Sequence, residues 1–208
     1  MRYKLAVYDW NGTIMNDFLA GYANVVVTFK TFAKHLPIPT AEEYRNEDSP
    51  AFYYNHGIPR SITLDDMERI WAPQYNRRFW RGEINPHDGA VELLTFCKAN
   101  DVPNAIVSSA PGDALNHLVN LEMGRFFEKV IFSAHPKGDA LVETLDFFGV
   151  KAEDAFYLDD TRDGLAQAKH LGMATIGFTG GFNNKERLLL AEPTFIVDSL
   201  REVPALVM

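Results

Sequence analysis

Cysteine is almost absent. Cys97 is the only one among 208 residues, so no disulfide can form within the chain. Its setting, LLTFCKA, fits a core thiol better than a nucleophile. Positive charge is also scarce: Lys and Arg number 20 against 28 Asp and Glu, for a formal net charge of −8. No basic stripe gathers anywhere along the chain. The clustered cations that a nucleic-acid backbone requires are therefore missing, and no nucleic-acid partner is expected. No apolar run is long enough to span a bilayer, so no membrane partner is expected either. The opening MRYKLAVYDW meets an acid too soon for a secretory signal, and the expected location is cytoplasmic. Internal repeats and low-complexity segments are absent too. Nothing in the sequence indicates an oligomeric state.

The sequence does carry enough apolar material for a sizeable core, at 47% hydrophobic residues. It is arranged as short runs: KLAVY (4–8), NAIVS (104–108), KVIFS (129–133), AFYLD (155–159), ATIGF (174–178) and TFIV (194–197). These are nearly continuous in apolar residues, as strands buried on both faces should be. Between them lie GAVELLTFCKAN (89–100), GDALNHLVNLE (112–122), DALVETLDFFG (139–149) and DGLAQAKHLG (163–172). Their apolar residues recur at helical spacing, and Gly149 and Gly172 are suitable helix stops. Alternating strands and helices imply an α/β fold with a doubly wound, mostly parallel sheet.

One stretch breaks the alternation. Nearly 100 residues separate the first run from the second, far more than one crossover needs. Residues 16–85 contain no convincing strand, but they hold helical candidates around 17–35 and 64–81. Pro, Asn and Asp are frequent near 37–50. The expectation is an α/β core from 1–15 and 86–208, with an all-helical insertion at 16–85.

In open parallel sheets, ligands bind beyond the carboxyl ends of the strands. Polar residues capping the apolar runs are therefore the candidates. The first run ends in Asp9 and the second in Ser108 and Ser109. The fourth ends in Asp159 and Asp160, with Asp163 close behind, and Lys137 follows the third. Singly each has an ordinary explanation, since serines cap turns and acids dress helix N-termini. At consecutive strand ends of one sheet they fit one chemistry. A carboxylate can act as a nucleophile and form an aspartyl-phosphate. A hard divalent cation such as Mg²⁺ would offset carboxylate–phosphate repulsion. A hydroxyl and an ammonium would hold the phosphoryl oxygens.

These motifs resemble those of the haloacid dehalogenase-like (HAD) hydrolases over most of the chain. The family opens with Asp-x-Asp-Gly-Thr after its first strand, and DWNGT (9–13) is similar. Its Ser or Thr motif is matched by Ser108, its Lys by Lys137, and its acidic motif by YLDDTRDG (157–164). The insertion sits where the family carries a helical cap over a Rossmann-like core. The resemblance implies that Asp9 is nucleophile and Mg²⁺ ligand, with the backbone carbonyl of Asn11 a second ligand. Asp160 would also bind the metal, with Asp159 and Asp163 competing for that role. Thr13, Ser108, Ser109 and Lys137 would hold the phosphoryl group, and Lys137 would also steady the nucleophile.

Position 11 departs from the family pattern. Family phosphatases carry there an Asp that protonates the leaving oxygen and then activates water, and Asn11 cannot exchange a proton in this way. General acid–base help is worth roughly 10²–10⁴-fold. Three readings follow. The chain is a phosphatase of a small phosphorylated metabolite, a dehalogenase or phosphonate hydrolase, or a phosphate- and Mg²⁺-binding regulator with little turnover. Phosphonate cleavage would need a cap lysine, and only Lys30 and Lys34 are available. The cap also offers Arg45, Arg60, Arg77, Arg78, Arg81, His56, Tyr53, Tyr54, Trp71 and Trp80 for substrate contact. Its aromatic content favours a partly apolar pocket.

Overall fold

The computed structural model describes residues 2–208. Strand β1 (Leu5–Tyr8) opens the chain. A two-residue strand, β2 (Met15–Asn16), leads into α1 (Phe18–Phe32), α2 (Ala41–Arg45), α3 (Ala51–Asn55) and α4 (Leu64–Trp80). Strand β3 (Asn85–Pro86) pairs antiparallel with β2, so the chain leaves and returns side by side. There follow α5 (Ala90–Ala99), β4 (Asn104–Val107), α6 (Ala114–Asn120), β5 (Lys129–Ile131), α7 (Gly138–Phe148) and β6 (Ala155–Asp159). The chain closes with α8 (Arg162–His170), β7 (Ala174–Phe178), α9 (Lys185–Leu189), β8 (Phe195–Val197) and α10 (Val203–Val207).

Six strands form one parallel sheet in the order β5-β4-β1-β6-β7-β8. Its two faces follow from the alternation of side chains along each strand. On β1, Ala6 and Tyr8 point into a core shared with Leu93, Leu94, Leu118 and Val203. Leu5 and Val7 point the other way, to Leu141 and Leu145 of α7 and Ala168 of α8. Both faces are covered, which is why the runs read as almost wholly apolar. Cys97 lies in the first core, completely buried, within 3.3 Å of the Tyr8 hydroxyl.

The helices α1–α4 have an apolar cluster of their own, formed by Val25, Phe29, Phe52, Tyr53, Ile58 and Met67. Trp71 of α4 donates its indole N–H to Thr28 of α1 (2.7 Å), joining the two long helices. A short helix, α2, lies within 37–50, where Pro, Asn and Asp are frequent, and α3 follows it. Helix α2 is started by a capping box, with Thr40 and Glu43 each bonding the other's backbone N–H. Among the described residues, no helix is long and apolar enough to cross a membrane.

Candidate active site

Strand order decides which chain ends meet. The chain moves outward from β1 through β4 to β5, then restarts on the other side of β1 with β6. The crevice for a ligand opens where that order reverses. Tyr8 is in register with Leu158, so Asp9 and Asp159 leave adjacent strands side by side. One carboxylate oxygen from each of Asp9, Asp159 and Asp160 lies within 4.8 Å of the others, and all three residues are buried.

Lys137, just before α7, reaches this group from the other side. Its Nζ donates to Asp9 Oδ1 (2.8 Å), Asp159 Oδ2 (2.7 Å) and the Tyr157 hydroxyl oxygen (3.0 Å). Tyr157 in turn donates to the Val107 carbonyl (3.1 Å), which turns its lone pairs toward the ammonium. The other oxygen of Asp159 accepts the N–H (2.7 Å) and hydroxyl (2.8 Å) of Thr161. Asp160 accepts from the Thr13 hydroxyl (2.7 Å) and the Phe182 N–H (2.6 Å). Backbone closes over these acids. Gly12 has φ +74°, and a β-carbon there or at Gly181 would collide with Asp160, as one at Gly164 would with Asp159.

Burial pushes the Asp9 carboxyl up to about 6, with Lys137 opposing the rise and Asp159 adding to it. Burial, then the charges of Asp159 and Asp9, hold Asp160 well above the carboxylate range. Burial works against the Lys137 charge, but Asp159 and Asp9 outweigh it and raise its pKa. One ammonium faces three carboxylates, so two negative charges lack a counter-charge when all are ionised. The donors are all oxygen, and this set fits a hard divalent cation.

Asp9, Asn11, Ser108, Ser109, Lys137 and Asp163 line a cavity of about 250 Å³ at the sheet edge. Thr13 is not among its lining residues and serves instead to fix Asp160. Asp163 stands in the first turn of α8, bonded to Gln167 (2.7 Å), outside the three-carboxylate group. Asn11 turns its amide toward the α1–α4 helices. Its Nδ2 donates to Asp17 Oδ2 and to the Tyr75 hydroxyl (2.9 Å). Asp17 is buried and also accepts from the Gly12 N–H (2.7 Å) and Tyr75 (2.6 Å). Burial pushes its carboxyl up to about 6 despite these donors.

Asp17, Tyr75 and Tyr157 have no place in the sequence reading. Tyr157 lies inside an apolar run and Tyr75 is 58 residues from its partner. Asp17 carried one available signal, an acid at the foot of the first helix of the insertion. Of the residues offered for substrate contact, Tyr53 and Trp71 line a second cavity next to the first. The arginines do not line either cavity. Arg45 lies over the Phe18 ring (3.8 Å), Arg60 over Tyr54 (5.3 Å), and Arg78 pairs with Glu83 (3.7 Å).

Residues 6–178 match the family model described as haloacid dehalogenase-like hydrolase. The chain belongs to the haloacid dehalogenase-like hydrolases. It is 28% identical over 127 residues to phosphoglycolate phosphatase 1 of Pseudomonas aeruginosa, covering 58% of this chain and 46% of that protein. The chain thus matches under half the length of that relative. It is 29% identical over 221 residues to the protein named "Probable phosphatase IndB" of Dickeya dadantii, covering 96% of this chain and 91% of that one. Among solved structures, a HAD-like family hydrolase from Streptococcus pneumoniae superposes with a TM-score of 0.82 at 20% identity. That match covers 100% of this chain and 99% of the other. At such identity the likeness carries the HAD fold alone, including its parallel sheet and flanking helices.

Proposed function

We propose that this HAD-like hydrolase is a Mg²⁺-dependent phosphatase of a small phosphorylated metabolite, with Asp9 as nucleophile. The observation that carries this reading is the Lys137 ammonium bridging Asp9 and Asp159 beside Asp160, at the ends of adjacent strands. Asp9, Asp160 and the Asn11 carbonyl would hold the cation. Asp159 is committed to Lys137 and Thr161. When bound, Mg²⁺ would offset the repulsion between the carboxylates and the phosphoryl oxygens.

The chain's own residues do the rest. An oxygen of Asp9 bonds to phosphorus as the bond to the leaving oxygen breaks, giving an aspartyl-phosphate. Ser108, buried at the end of β4 and lining the cavity, offers a hydroxyl to the phosphoryl oxygens, and Lys137 adds its charge there. Water then attacks phosphorus, the bond to Asp9 breaks, and phosphate and the free carboxylate return. With Asn11 in place of an acid, the leaving oxygen takes its proton from solvent. Acyl and aryl phosphates therefore lose least by the missing acid, and an alkyl ester relies more on the contacts made by its leaving group. The helices α1–α4 serve as the cap over this cleft.

Two features weigh against phosphonate cleavage through a cap lysine. Lys30 and Lys34 line separate hollows, and Lys137 is the one lysine among the residues lining the two cavities at the cleft. A binding protein without turnover is favoured by Asn11 alone. The deciding test is phosphate release from acetyl phosphate with and without Mg²⁺, with acid-quenched trapping of the phosphorylated peptide that contains Asp9. Mg²⁺-dependent release and a trapped adduct, both lost in Asp9→Asn, are expected. Cation binding without release would establish the binding protein, and metal-independent release would remove Mg²⁺ from the reading.

A further inference from the structure

The second cavity, of about 200 Å³, shares Asn11, Tyr44 and Phe182 with the first. It therefore lies where the leaving group of a phosphate ester held at Asp9 would extend. Its size suits a small organic group and no macromolecule. Three carboxylates line it: Asp17, which is buried, and Glu68 and Asp113, which are exposed. No lysine or arginine lines it. The cations near the cleft are engaged elsewhere, Arg162 and Arg187 on Asp48 and Lys137 on Asp9 and Asp159. A neighbouring wall is aromatic, with Tyr53 5.3 Å from Trp71 and Tyr44 6.1 Å from Phe182 between ring centroids.

The one histidine in the lining is held neutral rather than cationic. His117 lines the cavity and is 4% exposed. Asn76 donates its amide N–H to Asp113 (3.2 Å), which turns its carbonyl oxygen toward His117 Nε2 at 2.9 Å. The proton of a neutral His117 is thereby placed on Nε2, and Nδ1 is left as an acceptor enclosed by the protein. That Nδ1 has no partner among the described residues. Burial lowers the pKa of His117, which favours this neutral form.

We propose that this cavity receives a leaving group bearing a protonated amine, so that the substrate is a phosphate ester of an amino alcohol. The inference rests on the phosphatase reading for the phosphoryl half of the site. Carboxylates and aromatic faces both attract an ammonium. An anionic leaving group would meet three like charges, and like-charge juxtaposition is the usual means of rejecting a wrong ligand. The carboxylate of 2-phosphoglycolate is such a group, although relatives of this chain carry that substrate in their names.

The test uses three esters that differ mainly in the charge at the far end: phosphoethanolamine, n-propyl phosphate and 2-phosphoglycolate. Their kcat/KM values are measured on the whole protein with Mg²⁺. Phosphoethanolamine is expected to exceed n-propyl phosphate by about 10-fold, a preference of the size a desolvated cation contact supplies. 2-Phosphoglycolate should be the poorest of the three. The ratio of the first two should fall at least about 3-fold in Glu68→Gln with Asp113→Asn, since both carboxylates act through charge. Equal use of all three esters, or a preference for 2-phosphoglycolate, overturns the proposal. Acetyl phosphate reports the phosphatase reading by itself, so turnover of it without the amine preference defeats this inference alone. If no phosphate is turned over, ligand-observed NMR with ethanolamine, 1-propanol and glycolate decides the question. Selective contact with ethanolamine supports the amine site, and its absence removes it.

Discussion

Asn11 and Asp17 are a matched donor and acceptor, and this governs what a change at position 11 can do. The amide gives one hydrogen to the Asp17 carboxylate and one to Tyr75, which itself donates to Asp17. Replacing Asn11 with Asp alone sets two carboxylates in hydrogen-bond contact. One of them must then hold a proton. Asn11→Asp is expected to cost about 1–3 kcal/mol in urea unfolding at pH 7. The exchange Asn11→Asp with Asp17→Asn reverses the direction of the same bonds. An amide at position 17 can donate to a carboxylate at position 11 and still accept from the Gly12 N–H. The double variant should recover most of that loss. It should also gain about 10-fold or more in kcat/KM on alkyl phosphates, where a proton donor matters most. A double variant no more stable than Asn11→Asp would show that the pair is not coupled. At this scale the strand-end acids, Ser108 and Lys137 are legible, since each follows an apolar run at a fixed edge. Asp17 is not legible, because its meaning lies in a partner brought by a distant helix.

At the scale of elements, the turn between α2 and α3 is fastened to the core by Asp48. Its carboxylate takes Arg162 of α8 at 2.6 Å and Arg187 of α9 at 2.5 Å. Burial opposes the charge, but the hydrogen bonds from Arg187 and Arg162 outweigh it and hold the carboxyl below its usual range. A carboxyl depressed in the folded state adds stability above its unfolded pKa, and that contribution is lost as the pH falls through the folded value. Asp48→Asn should therefore lower stability by about 1–3 kcal/mol at pH 7. The gap between variant and wild type in thermal unfolding should close as the pH drops below about 4. A gap that persists unchanged at pH 3 would place the effect in packing rather than charge. The long helices α1 and α4 are readable from apolar spacing. Helix α2 is not among the expected helices, although TAEE at 40–43 carries the capping-box pattern that starts it. The β2–β3 ribbon is not readable, because it has two residues per strand and joins positions about 70 apart.

Across the whole molecule, Cys97 offers a reporter of cooperative opening. It is fully buried beside Tyr8, and burial pushes its thiol pKa up. Alkylation at pH 8 should proceed at the unfolding rate or through the unfolded fraction, and slow when Mg²⁺ is added, since a ligand of the folded state reduces that fraction. Fast labelling of the native protein, unaffected by Mg²⁺, would mean that this core opens locally. The two-sided α/β plan is legible at this scale because a sheet covered on both faces leaves continuous apolar runs. The meeting of Asp9 with Asp159 is a matter of strand order, which no local pattern records. The glycines pressed against Asp159 and Asp160 have a further consequence for how such a chain can change. Behind the inner wall of the cleft, backbone presses on the acids, and there a single added carbon displaces them. The opposite wall is made of side chains from α1–α4, Glu68 and Ala72 among them, which can change without touching the acids. Random substitution would leave the first wall nearly invariant among active survivors and the second diverse. A lineage built this way can exchange one substrate for another while its chemistry stays still.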